Sequence, residues 1–404
     1  MAIFLAGKAV CYRIPAFFCY GKLHFKCESA SLCIRAGLAA CATLHALFVC
    51  LEIMMKLKFA PALAVLFVLA ACSSEQPIAP VPEGQKVVPE ASALPVSETG
   101  FSQNAEVQRF IRQQAGLGVM DEGQLQQFFA QSVYKGNIVN IMNRPGTSRP
   151  WYEFRSGNAG AGKINGGRRF YQQYRQVLDQ VAREYGVPAE VLVAIVGIET
   201  NYGSNMGSFR LADSLPTLAF GYPRRGEFFQ QELHEFLLMA KEEGRDPFSF
   251  TGSYAGAMGM PQFMPSSYRK WAVDYDGDGQ RNIWGSVPDV AASVANYLKA
   301  HGWQRGGKVM VPVSMVPTPE LLALIDEKTA LNKTVGELRR MGVTPLEEVA
   351  DHEKAMLFRL ETAPGQYDYY IGLNNFFAVW QYNHSRLYVS AVREIANSVG
   401  GGKL

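Results

Sequence analysis

Apolar residues recur at helical spacing in several separated stretches of the chain. Val107, Phe110 and Ile111, then Leu125, Phe128 and Phe129, set the pattern at the start of the folded body. It continues through 167–185, 188–200, 226–243 and 287–301. The helix at Pro188 has a clear beginning, with proline early and Glu190 in the first turn, where a negative charge meets unpaired N–H groups. Residues 309–316 and 356–361 read as strands with a helical stretch at 334–341 between them, and the helical pattern resumes at Asp368. No internal repeat of roughly 20–50 residues runs through these segments. The pattern predicts a mainly helical, α+β body carrying one small mixed insert.

The polar positions divide the front of the chain differently. Pro77, Pro80, Pro82, Pro89 and Pro95, with small and polar residues between them, predict a flexible tether over 72–103. Before it, Met55-Lys56-Leu57-Lys58 and the apolar run 59–71 read as a secretion signal over 54–71, too short for a membrane-spanning helix of about 20 residues. The run ends in Leu69-Ala70-Ala71-Cys72, the pattern at which bacterial lipoprotein signals are cut and the new N-terminal cysteine is acylated. Ser73 follows, where Asp would signal inner-membrane retention, so the expected location is the outer membrane, lipid-anchored through Cys72 and facing the periplasm. A signal acts from an N-terminus, so residues 1–53 are expected to be a leader or a mis-assigned start and take no part in the fold.

Composition changes meaning under that division. The 404 residues are 48% hydrophobic and 12% aromatic, which excludes a largely disordered chain. The seven cysteines are Cys11, Cys19, Cys27, Cys33, Cys41, Cys50 and Cys72, so the folded body has none to pair. The net charge of +3 also belongs to the front: residues 72–404 hold 32 basic and 34 acidic side chains. That balance excludes a general nucleic-acid binder, which gathers a basic excess on one face.

The segment Val191-Leu192-Val193-Ala194-Ile195-Val196-Gly197-Ile198-Glu199 ends a very apolar helix with a carboxylate. Apolar surroundings and the negative end of the helix dipole both disfavour the ionised form, so Glu199 is expected to hold its proton near neutral pH. Acid catalysis of glycosidic cleavage requires such a group; the plainer alternative is a solvated glutamate in a last turn. Two other segments bear on the choice. Gly252–Ser266 combines small residues, which permit close ligand approach, with a lone Gln262, and Trp380-Gln381-Tyr382-Asn383-His384-Ser385 supplies aromatic faces and amide donors. Sugars are bound by that mixture.

Together the three segments resemble the E-[ST]-x-x-G, G-x-x-Q-x-x-P and Y-N series of the lytic transglycosylases of the lysozyme-like superfamily. Tyr222-Pro223-Arg224-Arg225, Phe236-Leu237-Leu238-Met239-Ala240 and the lipoprotein pattern bring the likeness to their membrane-bound, B-type branch, over about 105–398. The resemblance implies an N-terminal helical region at 104–165, a lysozyme-like core at 166–304, an α/β insertion at 305–362 and a return to the core at 363–404. It implies cleavage of the β-1,4 bond between N-acetylmuramic acid and N-acetylglucosamine in peptidoglycan, leaving a 1,6-anhydromuramoyl end. Glu199 falls on the family's single acid/base. Arg224, Arg225, Ser253, Met258, Gln262, Phe263, Tyr382, Asn383 and Tyr388 fall on substrate-contacting positions, while Phe154 replaces a tyrosine found in relatives. Peptidoglycan strands, the membrane and cell-wall synthases are the expected partners of a monomeric enzyme that needs no cofactor for its chemistry. The in-class rival is a hydrolytic muramidase; the rival from another class is a non-catalytic, calcium-stabilised peptidoglycan-binding lipoprotein.

Asp274-Tyr275-Asp276-Gly277-Asp278-Gly279-Gln280 reads as the first half of a calcium-binding EF-hand loop, with carboxylates alternating, glycine at the sharp sixth position and the Gln280 carbonyl as a further ligand. The twelfth position is Gly285 rather than the usual glutamate. Relatives share an extended loop with a later acid, which implies Asp289 as the closing ligand. The expected ion is structural calcium, bound weakly enough for sodium to compete.

Overall fold

The folded chain begins earlier than its proline content suggests. The computed structural model describes residues 95–144 and 149–402; the expected leader, signal, Cys72 and the tether up to residue 94 lie outside them. Pro95 is the extended residue before helix α1 (Val96–Gln103), which buries Val96 and Phe101. Phe101 packs on Phe129 and Tyr134, with ring centroids 6.1 and 6.3 Å away. The tether therefore does not reach residue 103. Its last proline starts a helix, a place where proline's fixed φ and missing N–H carry no penalty.

Side-chain caps fix the next starts. Asn104 accepts from the N–H groups of Glu106 and Val107 to open α2 (Ala105–Gly116), and an Asp121–Gln124 capping box opens α3 (Glu122–Gln131). After α4 (Gly136–Met142) and α5 (Trp151–Asn158) comes α6 (Ala161–Tyr185), bent at Tyr174. Helix α6 runs through the expected boundary at 165/166, so the N-terminal region and the core share a continuous element.

Helix α7 (Ala189–Thr200) is apolar all round and correspondingly buried, including Val191, Leu192, Val193, Ile195 and Val196. Each of these side chains contributes roughly 1.5–3 kcal/mol by leaving water. The two-residue strands β1 (Phe209–Arg210) and β2 (Thr251–Gly252) pair antiparallel and bracket α8 (Leu211–Gly221) and α9 (Gly226–Glu242). Helices α10 (Pro265–Trp271) and α11 (Val287–Ala300) follow.

The insertion comprises β3 (Met310–Ser314), α12 (Pro319–Asp326), β4 (Lys333–Thr334), α13 (Val335–Arg340), β5 (Thr344–Pro345), β6 (Lys354–Ala363) and β7 (Gln366–Gly372). Its antiparallel sheet has the order β4-β6-β7-β3-β5. Alternation along β6 serves two cores: Ala355 and Leu357 face the insertion's own cluster, and Met356, Phe358 and Leu360 face the main one. The insertion outlasts its expected end at 362 by a whole strand. Helix returns at α14 (Asn374–Asn383), not at Asp368, because Pro364-Gly365 makes a hairpin turn and the aromatic run 367–371 then pairs with both β6 and β3. The last described helix is α15 (Arg386–Gly400), which packs against α6 and α7. Among the described residues no helix is long and apolar enough to cross a membrane.

Candidate active site

Glu199 lies in the last turn of α7, next to a sharp reversal. Asn201 and Tyr202 both take left-handed backbone conformations, φ 51° and 61°, and the Thr200 hydroxyl donates to the Met260 carbonyl at 3.0 Å. Across the site, α15 brings the Tyr388 hydroxyl to donate to a Glu199 carboxylate oxygen at 2.7 Å. Burial pushes the carboxyl of Glu199 up to about 7; the Tyr388 hydrogen bond and the charge of Lys163 oppose the shift without cancelling it. Glu199 as a whole keeps part of its surface open while protein surrounds the carboxyl group.

A second layer holds that turn. Lys163, on α6, donates from Nζ to the Gly197 carbonyl at 2.6 Å, and the Tyr202 hydroxyl donates to the Lys163 carbonyl at 2.6 Å. The Tyr202 side chain fits only because residues 166 and 197 are glycine: a Cβ at 166 would lie 2.5 Å from a ring carbon, and one at 197 would lie 2.5 Å from the hydroxyl oxygen. Burial lowers the pKa of Lys163, and the negative charge of Glu199 acts the other way.

The remaining walls come from the other two motif segments. Residues 252–263 fold back on themselves, with the Ser253 hydroxyl accepting from the Ala257 N–H at 3.0 Å. Gln262 sits at φ 52° and its amide donates to the carbonyls of Met206 and Gly259. Met258 and Phe263 are buried, bridged to each other through the backbone. Both side chains lie in the main core, whereas the resemblance expects them to line the cleft. Two apolar residues flanking a tight reversal are drawn into the core by the same burial that shapes the reversal.

Tyr382 donates to the Pro261 carbonyl at 2.6 Å and lies nearly parallel to Tyr388, with centroids 6.2 Å apart. Tyr297 meets Tyr382 edge-on at 4.8 Å and donates to the Gln381 carbonyl. Burial, then the charge of Glu199, raises the hydroxyls of Tyr382 and Tyr388 well above the ordinary tyrosine value, so both are donors throughout the neutral range. Asn383 is exposed at the end of α14.

Arg224 and Arg225 occupy the turn Pro223–Arg225, exposed, and neither forms an ion pair among the described residues. Arg225 lies over Phe228 at 4.1 Å and Phe229 at 5.4 Å. The next three acids after Glu199 in the sequence are committed elsewhere or point to solvent. Asp213 accepts from Arg210 and the Val133 N–H, Glu232 from the N–H and hydroxyl of Ser266, and Glu227 is exposed in the first turn of α9. None of the three hydrogen-bonds to Glu199.

In the aspartate loop, one carboxylate oxygen each from Asp274, Asp276 and Asp289 lie within 4.8 Å of one another. That spacing suits a cation with oxygen ligands at about 2.3–2.6 Å. Asp289 is buried in the first turn of α11 and accepts from the N–H groups of Tyr275, Asp276 and Asn282. Asp274 caps Gly277 and Gly279, whose φ of 75° and 88° only glycine adopts freely. Asp278 stands outside the converging group and caps Gln280 N–H.

The profile of the transglycosylase SLT domain matches residues 102–397. The chain belongs to that family. It is 36% identical over 362 residues to membrane-bound lytic murein transglycosylase B of Escherichia coli K12, covering 86% of this chain and 98% of that protein. The lytic transglycosylase SltB1 of Pseudomonas aeruginosa superposes with a TM-score of 0.72 at 37% identity, over 74% of this chain and 99% of that one. The Escherichia coli lytic transglycosylase Slt35, solved in complex with calcium, gives 0.66 at 36% identity over 75% and 94%. Within this SLT-domain chain, Lys163, Tyr202 and Tyr297 are the site members that the motif reading did not single out. Tyr202 stands inside the quoted Glu199 motif, whereas Lys163 has no local signal.

Proposed function

We propose that the chain is a lytic transglycosylase of peptidoglycan in which Glu199 serves first as acid and then as base. Family membership supports the reaction class. The observation that carries the residue assignment is a carboxyl raised to about 7 by burial and held by one tyrosine hydroxyl, with no second acid among the described residues bonded to it. Protonated Glu199 gives its proton to the bridging oxygen as the bond from that oxygen to muramoyl C1 breaks. The substrate's own acetamido oxygen supports the positive centre left at C1. The Glu199 carboxylate then removes the proton of the C6 hydroxyl as that oxygen bonds to C1, which closes the 1,6-anhydro ring and restores the acid. No water enters. Tyr388 holds the carboxyl in place through both half-reactions.

Arg224 and Arg225 supply cations for the lactyl or peptide carboxylates of the substrate, while Ser253, Gln262, Tyr382 and Asn383 supply polar contacts. Calcium, when bound, is held by Asp274, Asp276 and Asp289 and stiffens the loop between α10 and α11. Cys72 carries the lipid that fixes the enzyme to the periplasmic face of the outer membrane.

The test is digestion of purified sacculi by residues 73–404, with product masses read out. Anhydro ends are expected, together with at least a thousandfold loss of rate in Glu199→Gln. Products heavier by one water would indicate a hydrolase, and an unimpaired Glu199→Gln would remove Glu199 from the chemistry.

A further inference from the structure

We infer that Lys163 is a positioning residue for Glu199, whose ammonium supplies the counter-charge the enclosed carboxylate needs between giving up its proton and recovering one. The inference rests on the assignment of Glu199 as the acid.

Two hydrogen bonds run in opposite directions between α6 and the turn that carries Glu199. Lys163 Nζ donates to the Gly197 carbonyl two residues before the acid, and the Tyr202 hydroxyl, three residues after it, donates to the carbonyl of Lys163. The ammonium is thus tied to the same turn as the carboxyl, and its backbone is tied to the reversal that follows. Glycine at 166 and 197 lets the Tyr202 ring close that clamp.

The other groups around the acid cannot do the same work. Tyr388 from α15 gives it one neutral hydrogen bond, and Tyr382 from α14 is a neutral phenol committed to the Pro261 carbonyl. Tyr297 from α11 is likewise neutral and donates to Gln381. Arg169, further along α6, acts on the Tyr202 hydroxyl. Among the described residues, Lys163 is the cation whose charge bears on Glu199.

A one-carboxylate mechanism makes this matter. After Glu199 has lost its proton, its charge faces the mobile positive centre at C1 until ring closure returns the proton and removes both charges together. The ammonium of Lys163 is present throughout. A cation at the end of α7 also suits the helix dipole, so the rival role is a mere cap on the Gly197 carbonyl.

Three variants separate charge from capping. Lys163→Gln keeps a donor without the charge, Lys163→Arg keeps the charge, and Lys163→Met removes both. Without the cation Glu199 holds its proton to higher pH, so the alkaline limb of the kcat/KM profile on soluble glycan strands should move up by about one pH unit in the Gln and Met variants. The Arg variant should stay near wild type. A limb unmoved in Lys163→Gln, or moved equally in Lys163→Arg, would overturn the inference while an inactive Glu199→Gln left the acid assignment standing. An active Glu199→Gln would instead overturn the assignment beneath it. Lys163 is half-buried, and circular dichroism checks that each variant folds; should Lys163→Gln not fold, Lys163→Asn, also a neutral donor, takes its place.

Discussion

A glutamic acid with a pKa of about 7 in the folded protein, against 4.5 as its ordinary value, binds more protons folded than unfolded between those two pH values. Stability at this position therefore falls as pH rises through that window and levels off above it. Glu199→Gln should change the melting temperature little near about pH 4 and stabilise the protein by about 1–3 kcal/mol near pH 8. The lower part of that range is favoured because the partly open face of Glu199 admits screening water. Equal melting temperatures for wild type and variant at both pH values would show that the carboxyl is not held protonated by its surroundings. Glu199 was legible in the sequence because an acid closing an apolar helix is a local pattern. Lys163 was not, since its bond to Gly197 spans 34 residues and the intervening chain has to fold before the two meet. Met258 and Phe263 are expected on the cleft by motif alone, and both side chains are buried in the core.

The aspartate loop shows how an element can be shaped before any ion arrives. Asp289 reaches from α11 to gather three backbone N–H groups of the loop, and Asp274 turns two glycines. Removing a buried carboxylate that satisfies several donors leaves those donors unpaired. Asp289→Ala should accordingly cost about 2–4 kcal/mol in urea unfolding. Calcium should raise the melting temperature of the wild type and not of the variant, by the mass-action increment expected for a ligand of the folded state. An equal rise in both would place the ion elsewhere. The loop was legible at Asp274 and Asp276 from alternating carboxylates, whereas Asp289 needed the resemblance because it comes from another helix. Strand β7 was misread for a comparable reason. Tyrosines at 367, 369 and 370 and isoleucine at 371 fit either period over so short a run, and the Pro-Gly turn before them was the deciding signal.

For the molecule as a whole, the proposal that Cys72 carries the lipid makes one attachment point sufficient. Cys72→Ala should move the protein from the membrane fraction to the soluble fraction while leaving specific activity on isolated sacculi unchanged; retention in the membrane would point to a second anchor. The main-chain plan of helical core plus α/β insert was visible in the sequence, but its seams were not. Helix α6 crosses one expected boundary and β7 another, because packing continues where composition changes. The contact between Tyr388 and Glu199 joins residues 189 positions apart, and Tyr388 belongs to the last described helix. At translation speeds of roughly 5–20 residues per second, some 10–40 s separate the appearance of the acid from that of its phenol. During that interval the emerging chain holds a glutamate without its partner. The surroundings of the acid are thus complete only once α15 has emerged, long after the helix that carries Glu199.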